Sequence, residues 1–193
     1  MVMSHHLGVL PDDLPVPNDD GAADHLVGLP IPSIALAATN GENVDLHDAS
    51  RGRRLVVFAY PRTGRPDVDL PIGWDLIPGA RGCTPEACSF RELSERFGAQ
   101  HVSIYGLSTQ DTDYQLEAAN RLQLPYPLLS DASLRLTEAL RLPTFTVDNM
   151  TLLRRLTLVI TNERIEHVLY PVFPPDRAAA DVLDVLQDLP GPR

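Results

Sequence analysis

The run Arg-Leu-Val-Val-Phe-Ala-Tyr at residues 54–60 is the feature that most constrains the fold, because apolar and polar side chains do not alternate along it. A strand with one buried face alternates apolar and polar residues, whereas a continuous apolar run of this length is typical of a strand buried on both faces. Helices must then cover both sides of the sheet that contains it. The run therefore predicts a buried strand in a layered α/β domain.

Strand and helix patterns alternate along the rest of the chain. This alternation is typical of α/β domains, in which helices connect the strands of a sheet. The order of the segments, with a tight turn at Asn162-Glu163 joining the last two strands, matches a thioredoxin-like three-layer fold with a central mixed sheet flanked by helices. We predict strands at 34–38, 44–46, 54–60, 101–107, 128–129, 155–161 and 165–170, and helices at 85–97, 111–122, 132–142 and 175–189.

The N-terminal segment differs in composition from the rest of the chain. Residues 1–30 are rich in proline and aspartate, so we expect an extended arm there and one domain over 31–193. The first residues lack the basic and apolar regions of a secretory signal, and no apolar run reaches the roughly 18 residues that span a membrane. These patterns predict a cytoplasmic protein that does not enter a membrane.

The charge balance narrows the classes of partner. The formal net charge is −10, and the 16 basic residues are all arginine, with no basic cluster among them. Binding to nucleic acid or to an anionic membrane needs clustered positive charge, so neither partner is expected. The lack of lysine also excludes a lysine nucleophile and a phosphate-binding loop lysine.

The segment Gly-Cys-Thr-Pro-Glu-Ala-Cys at 82–88 holds both cysteines of the chain. Thr84 is predicted to cap a helix that has Pro85 at its first position. Cys83 would then lie at the helix N-terminus, where the free backbone amides favour the reactive thiolate. We predict that Cys83 is a nucleophile and that Cys88, about one turn further along, is its resolving partner.

The cysteines also admit other interpretations. A zinc site needs four ligands, but the histidines are scattered and the cysteines are further apart than in a C-x2-C pair, so no metal site is predicted. Free cysteines are also common as plain buried core residues. A general disulfide oxidoreductase is a weak alternative, because the chain lacks the C-x-x-C motif of that class.

Three segments together resemble the peroxiredoxins, specifically the peroxiredoxin Q or bacterioferritin-comigratory group of the alkyl hydroperoxide reductase and thiol-specific antioxidant proteins. They are residues 56–61, 82–91 and 155–160. The resemblance implies a peroxidase without metal or organic cofactor that acts on hydrogen peroxide or small alkyl hydroperoxides. It implies that Cys83 becomes a sulfenic acid, that Cys88 condenses with it to a disulfide, and that thioredoxin or a similar dithiol reduces this disulfide.

The resemblance also implies roles for other residues. Arg155 would stabilise the thiolate and orient the peroxide, and Pro61 would shield the thiolate from water. Arg154 competes for the role of Arg155, and because strand residues alternate between faces, only one of the two can reach the thiol. The expected assembly is a monomer or a homodimer.

The loop before Cys83 departs from the family pattern. Cys83 follows Pro61 by 22 positions, so the family's short proline–threonine–cysteine approach carries an insertion at 62–82. The position of the family threonine holds Ala80, so Thr84 or a backbone group is expected to replace its hydroxyl as a peroxide ligand. Trp74, the only tryptophan, is interpreted as a packing anchor for the insertion, with a place in the peroxide pocket as the alternative.

The spacing of the cysteines has a mechanical consequence. Five positions along an ideal helix separate two α-carbons by about 8–9 Å, whereas a disulfide needs less than about 7 Å. The first turns of the helix must therefore unwind for the disulfide to form. The rival hypothesis is a redox sensor or binding module, with a reactive disulfide and poor turnover.

Overall fold

The computed structural model describes residues 10–11, 13–66 and 68–191. Its strands are β1 (Ala35–Ala38), β2 (Asn43–Asp45), β3 (Arg54–Ala59), β4 (Val102–Ser108), β5 (Leu128–Ser130), β6 (Thr144–Val147), β7 (Met150–Leu153), β8 (Leu156–Thr161) and β9 (Arg164–Leu169). Its helices are α1 (Leu46–Ala49), α2 (Cys83–Glu92), α3 (Ser94–Ala99), α4 (Thr112–Arg121), α5 (Arg135–Leu140) and α6 (Ala178–Asp188), with 3₁₀ turns at Trp74–Leu76 and Pro175–Arg177.

Strand β3 lies inside a seven-stranded mixed sheet with the order β2-β1-β5-β4-β3-β8-β9. It pairs in parallel with β4 and antiparallel with β8. All six of its residues are buried, as the continuous apolar run predicts. The loop toward Cys83 therefore departs from the carboxyl end of a strand in the interior of the sheet.

The two faces of β3 belong to two separate hydrophobic clusters. Leu55, Val57 and Ala59 pack on the face covered by α5 and by part of the N-terminal segment. Val56 and Phe58 pack on the opposite face, beneath α2, α3 and α6. Because successive strand residues point to opposite faces, a strand covered on both sides needs apolar residues at every position.

The predicted helix at 85–97 is wrong in its bounds. The helix begins two positions earlier, at Cys83, and it breaks at Leu93, after which α3 continues to Ala99. Leu93 leaves the helical conformation with ψ of 6°. Phe90 and Phe97 still reach the same cluster, with ring centroids 5.8 Å apart, so their helical spacing correctly indicated a shared buried side.

A hairpin of β6 and β7 forms a separate two-stranded sheet that the sequence analysis did not predict. Its turn residues Asp148 and Asn149 both have positive φ, 48° and 61°. Two consecutive positive φ values are typical of a tight two-residue hairpin turn, in which aspartate and asparagine are favoured. The signal was therefore present as Asp-Asn after the alternating run Thr-Phe-Thr-Val.

The described part of the N-terminal segment packs against β9. Leu26 is fully buried in the cluster that covers one face of the sheet. The Gly28 amide donates to the Ile165 carbonyl oxygen at 2.8 Å, and the Ile31 amide donates to the Glu163 carbonyl oxygen at 2.8 Å. The first nine residues of the predicted arm and Asp12 lie outside the described residues, and the division of the chain at residue 30 stays a prediction.

Candidate active site

Cys83 is the first residue of α2, and Gly82 caps the helix with φ of 105°. A β-carbon at Gly82 would run into the side chain of Pro175, so glycine is required by both its conformation and its surroundings. The prediction that Thr84 caps the helix and Pro85 opens it is therefore wrong. The helix starts at Cys83, one residue before Thr84, and its cap lies against Pro175, which is far along the chain.

Arg155 lies directly against the sulfur of Cys83. Its Nη2 atom is 3.3 Å from Cys83 Sγ, and its Nη1 atom donates to the carboxylate of Glu86. The same Nη2 donates to the backbone carbonyl oxygens of residues 79–81, at distances of 3.2 to 3.5 Å. A single buried guanidinium therefore holds the thiol, a carboxylate and the backbone that leads into α2.

Arg154 lies on the other side of the backbone. Its side chain is exposed and pairs with Asp20, whose Oδ2 is 3.0 Å from Arg154 Nη1. Both arginines precede β8, which begins one residue later than predicted, at Leu156. Among the two candidates, only Arg155 contacts the thiol.

Glu86 is a site residue that the sequence analysis missed, since its carboxylate was assigned only to the first turn of a helix. It is fully buried, and burial raises its pKa to about 7, while the charge of Arg155 acts in the opposite direction. One carboxylate oxygen, Oε1, lacks a hydrogen-bond partner among the described residues. A spacing of three from Cys83 places the two residues on one face of a helix, and that signal could have found it.

The surroundings of the thiol pull its pKa in two directions. Burial raises the pKa of Cys83 above its ordinary value, the charge of Arg155 lowers it, and Glu86 raises it. The backbone N–H of Arg62 also lowers it. The thiol is thus less readily ionised than the helix N-terminus alone suggested, and the thiolate depends on Arg155.

A small cavity of about 20 Å³ lies beside Cys83. Thr84 lines this cavity together with Ala80, the residue at the position of the family threonine. Pro61 is buried at the end of β3, where its carbonyl oxygen accepts a hydrogen bond from Ser108 at 3.0 Å. The next residue, Arg62, is the one that lines the cavity.

Cys88 is half-buried on the same helix as Cys83, and both cysteines are free thiols. The hydroxyl of Tyr126 donates to the carbonyl oxygen of Ala87 at 2.7 Å, which fixes the backbone just before Cys88. The intact helix therefore keeps the two thiols apart.

Among the described residues, no group of three or more histidine, cysteine, aspartate or glutamate side chains is placed to hold a metal ion.

Comparisons with known proteins agree on one family. A family model described as Redoxin matches residues 26–186. Peroxiredoxin bcp1 of Schizosaccharomyces pombe is 30% identical over 129 residues, covering 64% of this chain and 58% of the relative. Peroxiredoxin Bcp of Bacillus subtilis is 31% identical over 113 residues, covering 58% of this chain and 62% of the relative. The chain thus spans somewhat less than two thirds of each of these two relatives.

Solved structures carry the same fold. Peroxidoxin BcpB of Mycobacterium tuberculosis has a TM-score of 0.70 at 26% identity, covering 86% of this chain and 98% of that one. Peroxiredoxin Q of Xanthomonas campestris has a TM-score of 0.65 at 20% identity, covering 91% and 98%. The predicted thioredoxin-like α/β fold is confirmed.

Proposed function

The chain belongs to the Redoxin family, and from this premise we propose that it is a peroxiredoxin, a thiol-dependent peroxidase that reduces hydrogen peroxide or small organic hydroperoxides. The resemblance to the peroxiredoxin Q and Bcp proteins is confirmed by its relatives. The observation that carries the proposal is the contact of 3.3 Å between Arg155 Nη2 and Cys83 Sγ, whose residues are both buried. A buried cation against a thiol favours the ionised form that attacks a peroxide.

In the proposed first step, the Cys83 thiolate attacks one oxygen of the peroxide. A sulfur–oxygen bond forms and the oxygen–oxygen bond breaks, which leaves Cys83 as a sulfenic acid. The other oxygen leaves as hydroxide or alkoxide and takes up the proton that the thiol lost, which gives water or an alcohol. Arg155 supports the step because a guanidinium donates in a fixed planar geometry and stays charged.

Thr84 is proposed as a hydroxyl ligand of the peroxide, since it lines the cavity beside Cys83 where Ala80 offers no polar side chain. Pro61 is proposed to act indirectly. It lies two positions after Ala59, the last residue of β3, and directs the backbone of Arg62 to the cavity. The Arg62 N–H then faces the sulfur.

In the proposed second step, the thiolate of Cys88 attacks the sulfur of the Cys83 sulfenic acid. A disulfide forms, the sulfur–oxygen bond breaks, and water leaves. The first turns of α2 unwind to bring the two sulfur atoms together, because the helix separates them. Thioredoxin or a similar dithiol then reduces the disulfide and is itself oxidised. We place this cycle in the cytoplasm, where a reducing environment keeps both cysteines as free thiols.

The test is peroxide-dependent consumption of a reduced dithiol, with thioredoxin as the probe. We expect turnover with the native chain and none with Cys83→Ser. Cys88→Ser should gain one oxygen atom by intact mass after one equivalent of peroxide, and it should not form an intramolecular disulfide. Undiminished turnover in Cys83→Ser would refute the proposed mechanism.

The rival function is a redox sensor that turns over poorly. Ala80 in place of the family threonine and the burial of Cys83, which is 4% exposed, are the observations that favour it. Fast oxidation by peroxide followed by negligible reduction with any dithiol would support the sensor over the peroxidase.

A further inference from the structure

The insertion between β3 and α2 separates two cavities. The inner cavity, of about 20 Å³, contains the sulfur side of Cys83, and the outer cavity, of about 280 Å³, lies on the far side of the inserted loop. Leu70 and Trp74 line both of them. Leu76 borders the outer cavity and is 80% exposed, so this cavity lies at the molecular surface. The Leu70 and Trp74 side chains therefore form a partition between the two cavities.

The size of the inner cavity limits what can reach the sulfur. A cavity needs about 10–15 Å³ to hold one water molecule. A space of about 20 Å³ therefore matches a molecule close to water in size, such as hydrogen peroxide. A tert-butyl or cumyl group has no room there while the partition stays in place.

Contacts on two sides hold the partition. Trp74 is 3% exposed, and its ring lies 6.2 Å from the ring of Phe145 in the β6–β7 hairpin. The same cluster includes Leu152 of that hairpin. Next to Trp74, Asp75 forms an ion pair of 2.7 Å with Arg81, whose side chain is 10% exposed. The indole is thus packed between the hairpin and the segment that leads into α2.

We propose that Trp74 is a specificity-determining residue, whose indole forms a wall of the inner cavity and restricts the substrate to peroxides of about the size of hydrogen peroxide. The inference rests on the proposed peroxidase function. Trp74 is then both a packing anchor for the insertion and a wall of the peroxide space. Removal of its side chain joins the inner cavity to the outer one and admits an organic group beside Cys83.

The experiment compares kcat/KM for cumene hydroperoxide with kcat/KM for hydrogen peroxide in the full chain. Trp74→Ala should raise the ratio of the two at least about tenfold, since steric differences of one methylene already change such ratios by about 10–200-fold. Trp74→Leu keeps an apolar contact with Phe145 and should give an intermediate ratio. Leu76→Ala is the matched control, because Leu76 borders the outer cavity and is not among the described residues around the inner one.

An unchanged ratio in Trp74→Ala, or an equal rise in Leu76→Ala, overturns the proposal. If circular dichroism shows that Trp74→Ala is unfolded, the ratio in Trp74→Leu decides instead. Failure of the peroxidase proposal is distinguishable, because native Cys83 would then not be oxidised by hydrogen peroxide at all. Oxidation of native Cys83 together with an unchanged ratio in the folded variants rejects the size restriction alone.

Discussion

At the scale of single residues, the charge of Arg155 is divided between two acidic groups. Its guanidinium contacts both the thiol of Cys83 and the carboxylate of Glu86, and all three side chains are buried. When Glu86 is ionised, its negative charge raises the pKa of Cys83 and so opposes the effect of Arg155, which lowers that pKa. When Glu86 is protonated, the charge of Arg155 acts on the thiol undivided. We therefore expect ionised Glu86 to raise the pKa of Cys83.

This coupling predicts a pH-dependent effect of Glu86→Gln. The pKa of Glu86 is about 7, so below that pH the native side chain is already neutral, and the two proteins should be alkylated at similar rates. Above it, native Glu86 is negative and raises the pKa of Cys83, so the variant should react several-fold faster. The measurement is the rate of Cys83 alkylation by iodoacetamide between pH 5.5 and pH 9, in a Cys88→Ser background.

Glu92→Gln is the matched control, because Glu92 ends α2 and its side chain is 68% exposed. Its rate profile should follow the native one. A Glu86→Gln profile that coincides with the native one above pH 7 would show that Glu86 does not act on the thiol.

At the scale of elements, α2 must hold Cys83 in place and yet release it. Gly82, Pro175 and Arg155 hold its first turn, while the later part is anchored by Phe90, whose ring stacks 4.4 Å from that of Phe58. The anchor at Phe90 lies beyond Cys88, so the turns between the cysteines can open while the end of the helix stays packed. In the proposed cycle, the opening accompanies the formation of the disulfide between Cys88 and the oxidised Cys83.

We predict that forming the disulfide exposes the start of α2 to solvent exchange. After one equivalent of peroxide, backbone amides of residues 86–88 should exchange with deuterium at least about tenfold faster, while α4 stays protected. In Cys88→Ser, the sulfenic acid forms without the disulfide, so the start of α2 should keep its protection. A disulfide within a fully protected α2 would contradict the predicted unwinding.

At the scale of the whole molecule, part of the N-terminal segment completes the core. Leu26 is fully buried against the sheet, and the backbone around it is hydrogen-bonded to β9. The segment also reaches the site, because Pro17 lies beside Gly79, whose carbonyl oxygen accepts from Arg155. The described part of this segment thus supports both the fold and the approach to α2.

Among the described residues, every helix is too short or too polar to span a membrane.

Leu26→Ala is expected to lower the free energy of unfolding by about 3 kcal/mol, because it leaves a cavity in a closely packed cluster. The measurement is urea denaturation followed by circular dichroism. Val27→Ala is the neighbouring control, since Val27 is 57% exposed and its loss should cost less than about 0.5 kcal/mol. Equal effects of the two substitutions would mean that the segment does not pack as described.

Local patterns in the sequence determined much of the architecture. The apolar run of β3, the helix that starts beside Asp111 and the turn at Asn162-Glu163 are read from neighbouring residues, and each lies where it was predicted. The cysteine pair also came from the sequence, whereas the preference for Arg155 over Arg154 came from the family resemblance, since strand alternation says only that one of the two can reach the thiol. These features depend on side-chain periodicity and turn chemistry, which act over a few residues.

Only the tertiary structure decided the rest of the site. Gly82, at the start of the helix, lies against Pro175, and the buried Glu86 is paired with Arg155, which precedes β8. Trp74 lines the cavity beside Cys83 and packs against a hairpin that begins 70 residues later, at Thr144. Each of these contacts joins residues that are remote in sequence, and their free energies arise from desolvation and close packing. Such terms depend on what surrounds a side chain, which the local sequence does not encode.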